Sequence, residues 1–97
     1  MLHFNRLSPA ETERLALLSK ELGEAQQAIG KILRHGYESR HPDGGPTNRE
    51  TLERELGDVQ FAMGFLSAEG DVKPLKIQKY AQTKALSVIK YLHHQEN

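Results

Sequence analysis

The chain has 97 residues, with 13 Lys and Arg against 13 Asp and Glu, five His, and neither Cys nor Trp. That length holds a single domain, spanning 1–97. Formal neutrality excludes a basic surface built to grip a nucleic-acid polymer. The lack of cysteine excludes disulfides, thiolate nucleophiles and zinc–thiolate sites.

No apolar run is long enough for a membrane span, and no apolar stretch of the signal-peptide kind stands at the start. A soluble, cytoplasmic protein is expected. The neutrality is a sum of unequal parts. Residues 1–72 carry 8 basic and 12 acidic groups, a balance of −4, and residues 73–97 carry 5 basic and 1 acidic, a balance of +4.

Three helical segments follow one another, and no strand pattern interrupts them. Ser8-Pro9-Ala10-Glu11 reads as a capping box with proline at the first helical position. Leu15, Leu18, Leu22, Ala25, Ile29 and Ile32 then recur at steps of three and four. Arg34, His35 and Gly36 suit a helix end, so the first helix is expected over about 8–35. Residues 36–46 are rich in Gly and Pro and form a loop that is long for a helix hairpin. Thr47 and Glu50 make a second capping box. Leu52, Leu56, Val59, Met63 and Leu66 form the stripe of a helix over about 47–67. A third helix is expected over about 73–94, with Ile77, Ala81, Ala85, Val88 and Leu92 on one face. The fold class is therefore all-α, an antiparallel helical bundle of three main helices. With 37% hydrophobic residues, a core of this size is marginal. Completion of the bundle by dimerisation is expected.

The most informative feature is a repeat. Residues 21–30, ELGEAQQAIG, align with residues 55–64, ELGDVQFAMG, at an offset of 34. Two helices joined by a hairpin loop set these segments against each other. Positions i and i+3 share a helix face, so Glu21 pairs with Glu24 and Glu55 with Asp58. Both pairs border the apolar stripes and point toward the core or its edge. Four converging carboxylates repel and are poorly solvated, and a divalent cation offsets both costs. An all-oxygen donor set favours Mg²⁺, with Mn²⁺ as substitute, over zinc or copper. Gly23, Gly30, Gly57 and Gly64 each cost a helix roughly 1 kcal/mol relative to alanine. Close helix approach or room for a ligand is the expected reason for keeping them.

Glu21-x-x-Glu24, a loop, and Glu55-x-x-Asp58 together resemble the all-α nucleoside triphosphate pyrophosphohydrolases of the MazG type. The context is similar to the small, single-domain phage-type members: LSKELGEAQQAIGKILRHG at 18–36 and HPDGGPTNRETLERELGDV at 41–59. The resemblance covers about residues 14–92. It implies Mg²⁺-dependent cleavage of a nucleoside triphosphate to the monophosphate and pyrophosphate, by a homodimer or a dimer of dimers. Glu21, Glu24, Glu55 and Asp58 are then the metal ligands, and Glu21 or Glu24 serves as catalytic base. Two departures stand out: Lys20 where the family often has a further acid, and a long interval of 30 residues between Glu24 and Glu55.

Lys73, Lys76, Lys79, Lys84 and Lys90 fall on one side of the third helix. The resemblance points first to Lys84 as a contact for the triphosphate, with Lys76 second. Asn48 reads equally as a helix-start residue and as a substrate contact. The rival reading is a non-catalytic helical interaction module, in which the carboxylates pair with Arg14, Arg34, Arg49 or Arg54. Neither reading calls for a membrane or a nucleic-acid polymer as partner.

Overall fold

The computed structural model describes residues 4–95. They form helix α1 (Pro9–His35), helix α2 (Asn48–Ala68), helix α3 (Pro74–Val88) and a 3₁₀ turn over Ile89–Tyr91. The architecture is all-helical, as the spacing of apolar residues predicts. None of the helices is long and apolar enough to cross a membrane.

Both capping boxes form. Ser8 Oγ accepts from the Glu11 N–H at 3.1 Å while the Ser8 N–H donates to Glu11 Oε1 at 2.8 Å. Thr47 and Glu50 repeat the exchange at 3.1 and 2.8 Å. These bonds satisfy donors that every helix start leaves open. Gly36 ends α1 at φ 88°, a left-handed value that a side chain disfavours, and its N–H donates to Ile32 O at 2.7 Å.

α1 and α2 pack against each other as an antiparallel hairpin. Its seam is made of Ala25, Ala28, Val59, Ala62 and Leu66, with Ala62 fully buried. Small residues at the seam let the two helices lie close. Arg14 clamps the open end of the hairpin. Its Nε and Nη2 donate to Asp71 Oδ2 and Oδ1 at 2.6 and 2.9 Å, and its guanidinium lies 5.9 Å from the Phe65 ring. The turn after α2 is thereby tied to α1.

The third helix departs from expectation in two ways. It ends at Val88, six residues early, and its last turn tightens to 3₁₀ before Leu92 becomes extended. Val88, Ile89 and Tyr91 are weak helix formers, and none of the residues of α3 is buried, so packing does not offset that weakness. The predicted stripe of α3 is therefore only slightly covered within the chain: Ile77 and Val88 are half-buried, and Ala81, Ala85 and Leu92 are exposed. The stripes of α1 and α2 are also only partly covered: Leu15, Leu22, Ile29, Leu56 and Met63 remain exposed. The chain exposes 8209 Å², where about 5,600 Å² is usual for a compact protein of this mass. Its radius of gyration is 17.1 Å, against roughly 12.5 Å for a compact domain of the same length.

Candidate metal centre

Residues 21–24 lie midway along α1 and residues 55–58 in the first half of α2. The antiparallel hairpin brings the two i, i+3 pairs together. One carboxylate oxygen from each of Glu21, Glu24, Glu55 and Asp58 lies within 4.8 Å of all the others. Glu21 is buried at 8% exposure, Glu24 and Glu55 are half-buried, and Asp58 is exposed. The group thus opens toward solvent on the Asp58 side and is closed on the Glu21 side. Glu21, Glu24 and Glu55 fit the expectation of a place toward the core or its edge, and the exposed Asp58 departs from it.

Two oxygens in the group have no partner. Glu21 Oε2 and Glu55 Oε2 are both buried and accept no hydrogen bond. Lone acceptors of this kind are uncommon in folded proteins and carry a desolvation cost. Burial, first of all, raises the Glu21 carboxyl above its ordinary value, and Glu24 and Asp58 add to it. Burial likewise raises Glu55, with Glu24 the next cause. The nearest cation is Lys20, whose Nζ is 3.9 Å from Glu24 Oε1. Lys20 is well exposed, so its attraction is screened.

The arginines that could have neutralised the group are engaged elsewhere or make no ion pair. Arg14 is held by Asp71, and Arg49 by Glu38 at 2.7 Å. Among the described residues, neither Arg34 nor Arg54 forms an ion pair with the four carboxylates. An all-oxygen set of four carboxylates suits a hard divalent ion. Mg²⁺–oxygen bonds of about 2.0–2.1 Å put opposite ligands about 4.2 Å apart. A spread of 4.8 Å closes to that with a shift of well under 1 Å.

The remaining predicted residues lie apart from the carboxylates. Asn48 occupies the first position of α2, directly after the capping residue Thr47. Its Nδ2 donates to Gly36 O at 3.0 Å and its N–H to Ser39 O at 2.8 Å. It therefore fastens the loop to both helices. Lys76 and Lys84 are exposed on α3 and form no ion pair among the described residues; the acidic group is built from α1 and α2 alone. The helical glycines overturn one of the two expected reasons for them. A Cβ at Gly23, Gly57 or Gly64 would meet nothing within 4 Å, and at Gly30 only Arg34 Nη1 at 3.5 Å. Among the described residues, no neighbouring helix packs tightly on them.

Sequence reasoning missed one feature, a basic recess at the loop end of the hairpin. Lys31, Arg34, His35, Arg40, His41 and Asn48 line a cavity of about 370 Å³ there. The signal for it is the spacing: Lys31 follows Glu24 by seven residues, on its side of α1, and Arg34 lies one turn further on. Compared with protein families, with characterised proteins and with solved structures, the chain finds no match.

Proposed function

We propose that this protein is a Mg²⁺-dependent nucleoside triphosphate pyrophosphohydrolase, cleaving a (d)NTP to the (d)NMP and pyrophosphate. The observation that carries the reading is the pair of buried, partnerless oxygens of Glu21 and Glu55 within a convergent four-carboxylate group. The resemblance of Glu21-x-x-Glu24 and Glu55-x-x-Asp58 to the MazG-type motif supplies the reaction class.

Glu21, Glu24, Glu55 and Asp58 would hold Mg²⁺, or Mn²⁺ in its place. The ion supplies charge neutralisation for the phosphates and acidifies a bound water. The chain's own part is to fix four carboxylates on two rigid helices and keep one side of the group dry. Water attacks the α-phosphorus, a new P–O bond forms, and the α–β bridging bond breaks with pyrophosphate as leaving group. Glu24 or Glu21 takes the proton of that water. Lys84 and Lys76 are assigned to the triphosphate on the resemblance, and reaching it requires a different placement of α3 or a second chain. Asn48 has its amide N–H group on Gly36 and retains its amide oxygen for substrate.

The enzyme works as a homodimer or a dimer of dimers in the cytoplasm. The excess of roughly 2,600 Å² in exposed surface is the support for assembly. It is comparable per chain to what large permanent interfaces bury. The interaction-module reading draws no support from Arg14 and Arg49, which pair with Asp71 and Glu38.

A pyrophosphate-release assay across natural and modified dNTPs tests the proposal. Monophosphate and pyrophosphate are the expected products with Mg²⁺, and none with chelator. Diphosphate and orthophosphate would point to a different bond and refute the assignment. So would the lack of any turnover with Mg²⁺ or Mn²⁺.

A further inference from the structure

The basic recess at the loop end of the hairpin is a second feature, separate from the carboxylates. It is bounded by the last turns of α1, the ordered loop and the first residue of α2. Lys31, Arg34 and Arg40 bring three fixed positive charges to it, and His35 and His41 two imidazoles. None of its lining residues is acidic. Lys31, Arg34 and Arg40 make no ion pair among the described residues. The nearest acidic groups are committed: Glu38 to Arg49, Asp43 beside His41, and Glu50 to the N–H of Thr47. Glu50 also feels Arg40, so it offsets part of that charge.

The wall is built rather than incidental. The loop is held by Arg49 N–H to Tyr37 O at 2.9 Å, Asn48 N–H to Ser39 O at 2.8 Å, and the short antiparallel bridge between Arg40 and Thr47. The Arg49 guanidinium lies 4.3 Å over the Tyr37 ring and adds a further tie between the loop and α2. Arg40 itself donates to Gly45 O at 3.4 Å, a long bond that leaves most of its donors open. The N–H of Asp43 donates to His41 Nδ1 at 3.1 Å, which puts the proton of neutral His41 on Nε2. Arg34 lies back over Gly30, its Nη1 3.5 Å from where a Cβ would stand. Arg34 and Lys31 therefore also border a shallow groove of about 630 Å³ that runs along α1 from Gly23.

The register places this recess in line with the carboxylates. Lys31 follows Glu24 by seven residues, and Asn48 precedes Glu55 by seven. Two turns keep each on the same side of its helix as its carboxylate, about 10 Å nearer the loop at ~1.5 Å per residue. We infer that this recess is a binding site for a polyphosphate chain, the pyrophosphate or triphosphate portion of a nucleotide or the free anion. Three spaced cations, two of them forked guanidiniums, suit several phosphate oxygens. A cavity of about 370 Å³ has room for more than one phosphate group. Binding here stands on the recess's own residues, with or without metal at the carboxylates. That the other end of the chain lies at the carboxylates rests on the pyrophosphohydrolase reading.

The test is a titration of the full chain in excess chelator with inorganic pyrophosphate, tripolyphosphate, orthophosphate and a dNTP. Calorimetry and amide NMR are read together. Saturable binding of pyrophosphate and tripolyphosphate is expected at one per chain, with shifts centred on Lys31, Arg34, Arg40 and Asn48. Affinity should fall at least tenfold in the Arg34→Gln/Arg40→Gln variant and stay level in Arg6→Gln, which lies before α1 at the far end of the hairpin. A dNTP bound like tripolyphosphate marks the phosphate chain alone as the ligand, and tighter dNTP binding marks the nucleotide as its source. The inference is overturned if orthophosphate binds as tightly as pyrophosphate, or if the shifts fall elsewhere. Tighter binding of a short single-stranded oligonucleotide than of tripolyphosphate would overturn it equally. Because chelator removes divalent metal, failure here is distinct from failure of the hydrolase reading.

Discussion

Replacing Glu21 by Gln should move stability in opposite directions with and without metal. In chelator, the side chain is nearly buried, one oxygen lacks a partner, and its neighbours are Glu24, Glu55 and Asp58. Gln keeps the shape, removes one of four like charges, and offers an N–H₂ that can donate to a neighbouring carboxylate. Glu21→Gln should therefore melt several degrees above the parent without metal. In Mg²⁺ the order reverses. An ion that binds only the folded chain stabilises it by RT ln(1 + [L]/Kd), about 2.7 kcal/mol at a hundredfold excess over Kd. For a domain of this size, that raises Tm by roughly 10–20 °C. The variant should keep only a small part of the rise. Differential scanning calorimetry of both proteins, in EDTA and across a Mg²⁺ series, gives all four numbers. If Glu21→Gln melts below the parent in EDTA, the carboxylates are not a strained group. If Mg²⁺ leaves the parent unmoved, they are not a metal site.

The same group sets an unusual pH response. The Glu21 and Glu55 carboxyls lie above their ordinary 4.5 in the folded chain. Their folded forms bind protons more readily than the unfolded ones, so metal-free stability should rise as pH falls from neutrality toward about 4.5. Glu50 and Asp71 are lowered by the Thr47 cap and by Arg14, so their contributions are lost below about 4.5 and 3.8 respectively, and stability then falls. A Tm-versus-pH curve in EDTA should peak in the acid range, and a curve that only declines from neutrality would count against the cluster. Ala62→Leu inserts a side chain where none of the alanine is exposed, and should cost about 1–3 kcal/mol in a urea melt. Separation of the helices would also weaken any Mg²⁺ response. Ser8→Ala removes one capping oxygen and should cost about 1 kcal/mol, read by the same melt. Sedimentation should give a mass above the 11.0 kDa of one chain, and Leu22→Glu on the exposed α1 stripe should reduce it.

The local elements were legible because their determinants are local. Ser8/Glu11 and Thr47/Glu50 carry their caps within four residues, and Gly36 marks the end of α1 by its own backbone freedom. The carboxylate group was legible for a different reason. A repeat at an offset of 34 residues, folded at one hairpin, has only one way to bring Glu21, Glu24, Glu55 and Asp58 together. The length and cover of α3 were not legible. Its apolar residues have helical spacing, but spacing says which residues share a face and nothing about what meets that face. Gly23, Gly57 and Gly64 failed for the same reason, since an open side of a helix and a tight crossing read alike in sequence. The loop-end recess was missed because Arg40 and His41 join Lys31 and Arg34 only once the loop turns back to Asn48.

The division of charge along the chain takes on a different meaning in three dimensions. Residues 73–97 carry the surplus of +4, and it is natural to hand them the role of meeting phosphate. Yet none of the residues of α3 is buried, and the acidic group is built from α1 and α2 alone. The cations gathered at the loop end of the same hairpin are instead Lys31, Arg34 and Arg40, inside the segment whose sum is −4. An anion drawn to this hairpin thus meets four clustered carboxylates and, about 10 Å nearer the loop at the level of Lys31, bases that form no ion pair among the described residues. Long-range steering then depends little on net charge, because at physiological salt a field decays over about 8 Å. What matters is the order of charges along the two helices. In this chain that order is written in the seven-residue steps from Glu24 to Lys31 and from Asn48 to Glu55, so inserting one residue between either pair should uncouple the two sites while leaving the composition of each intact.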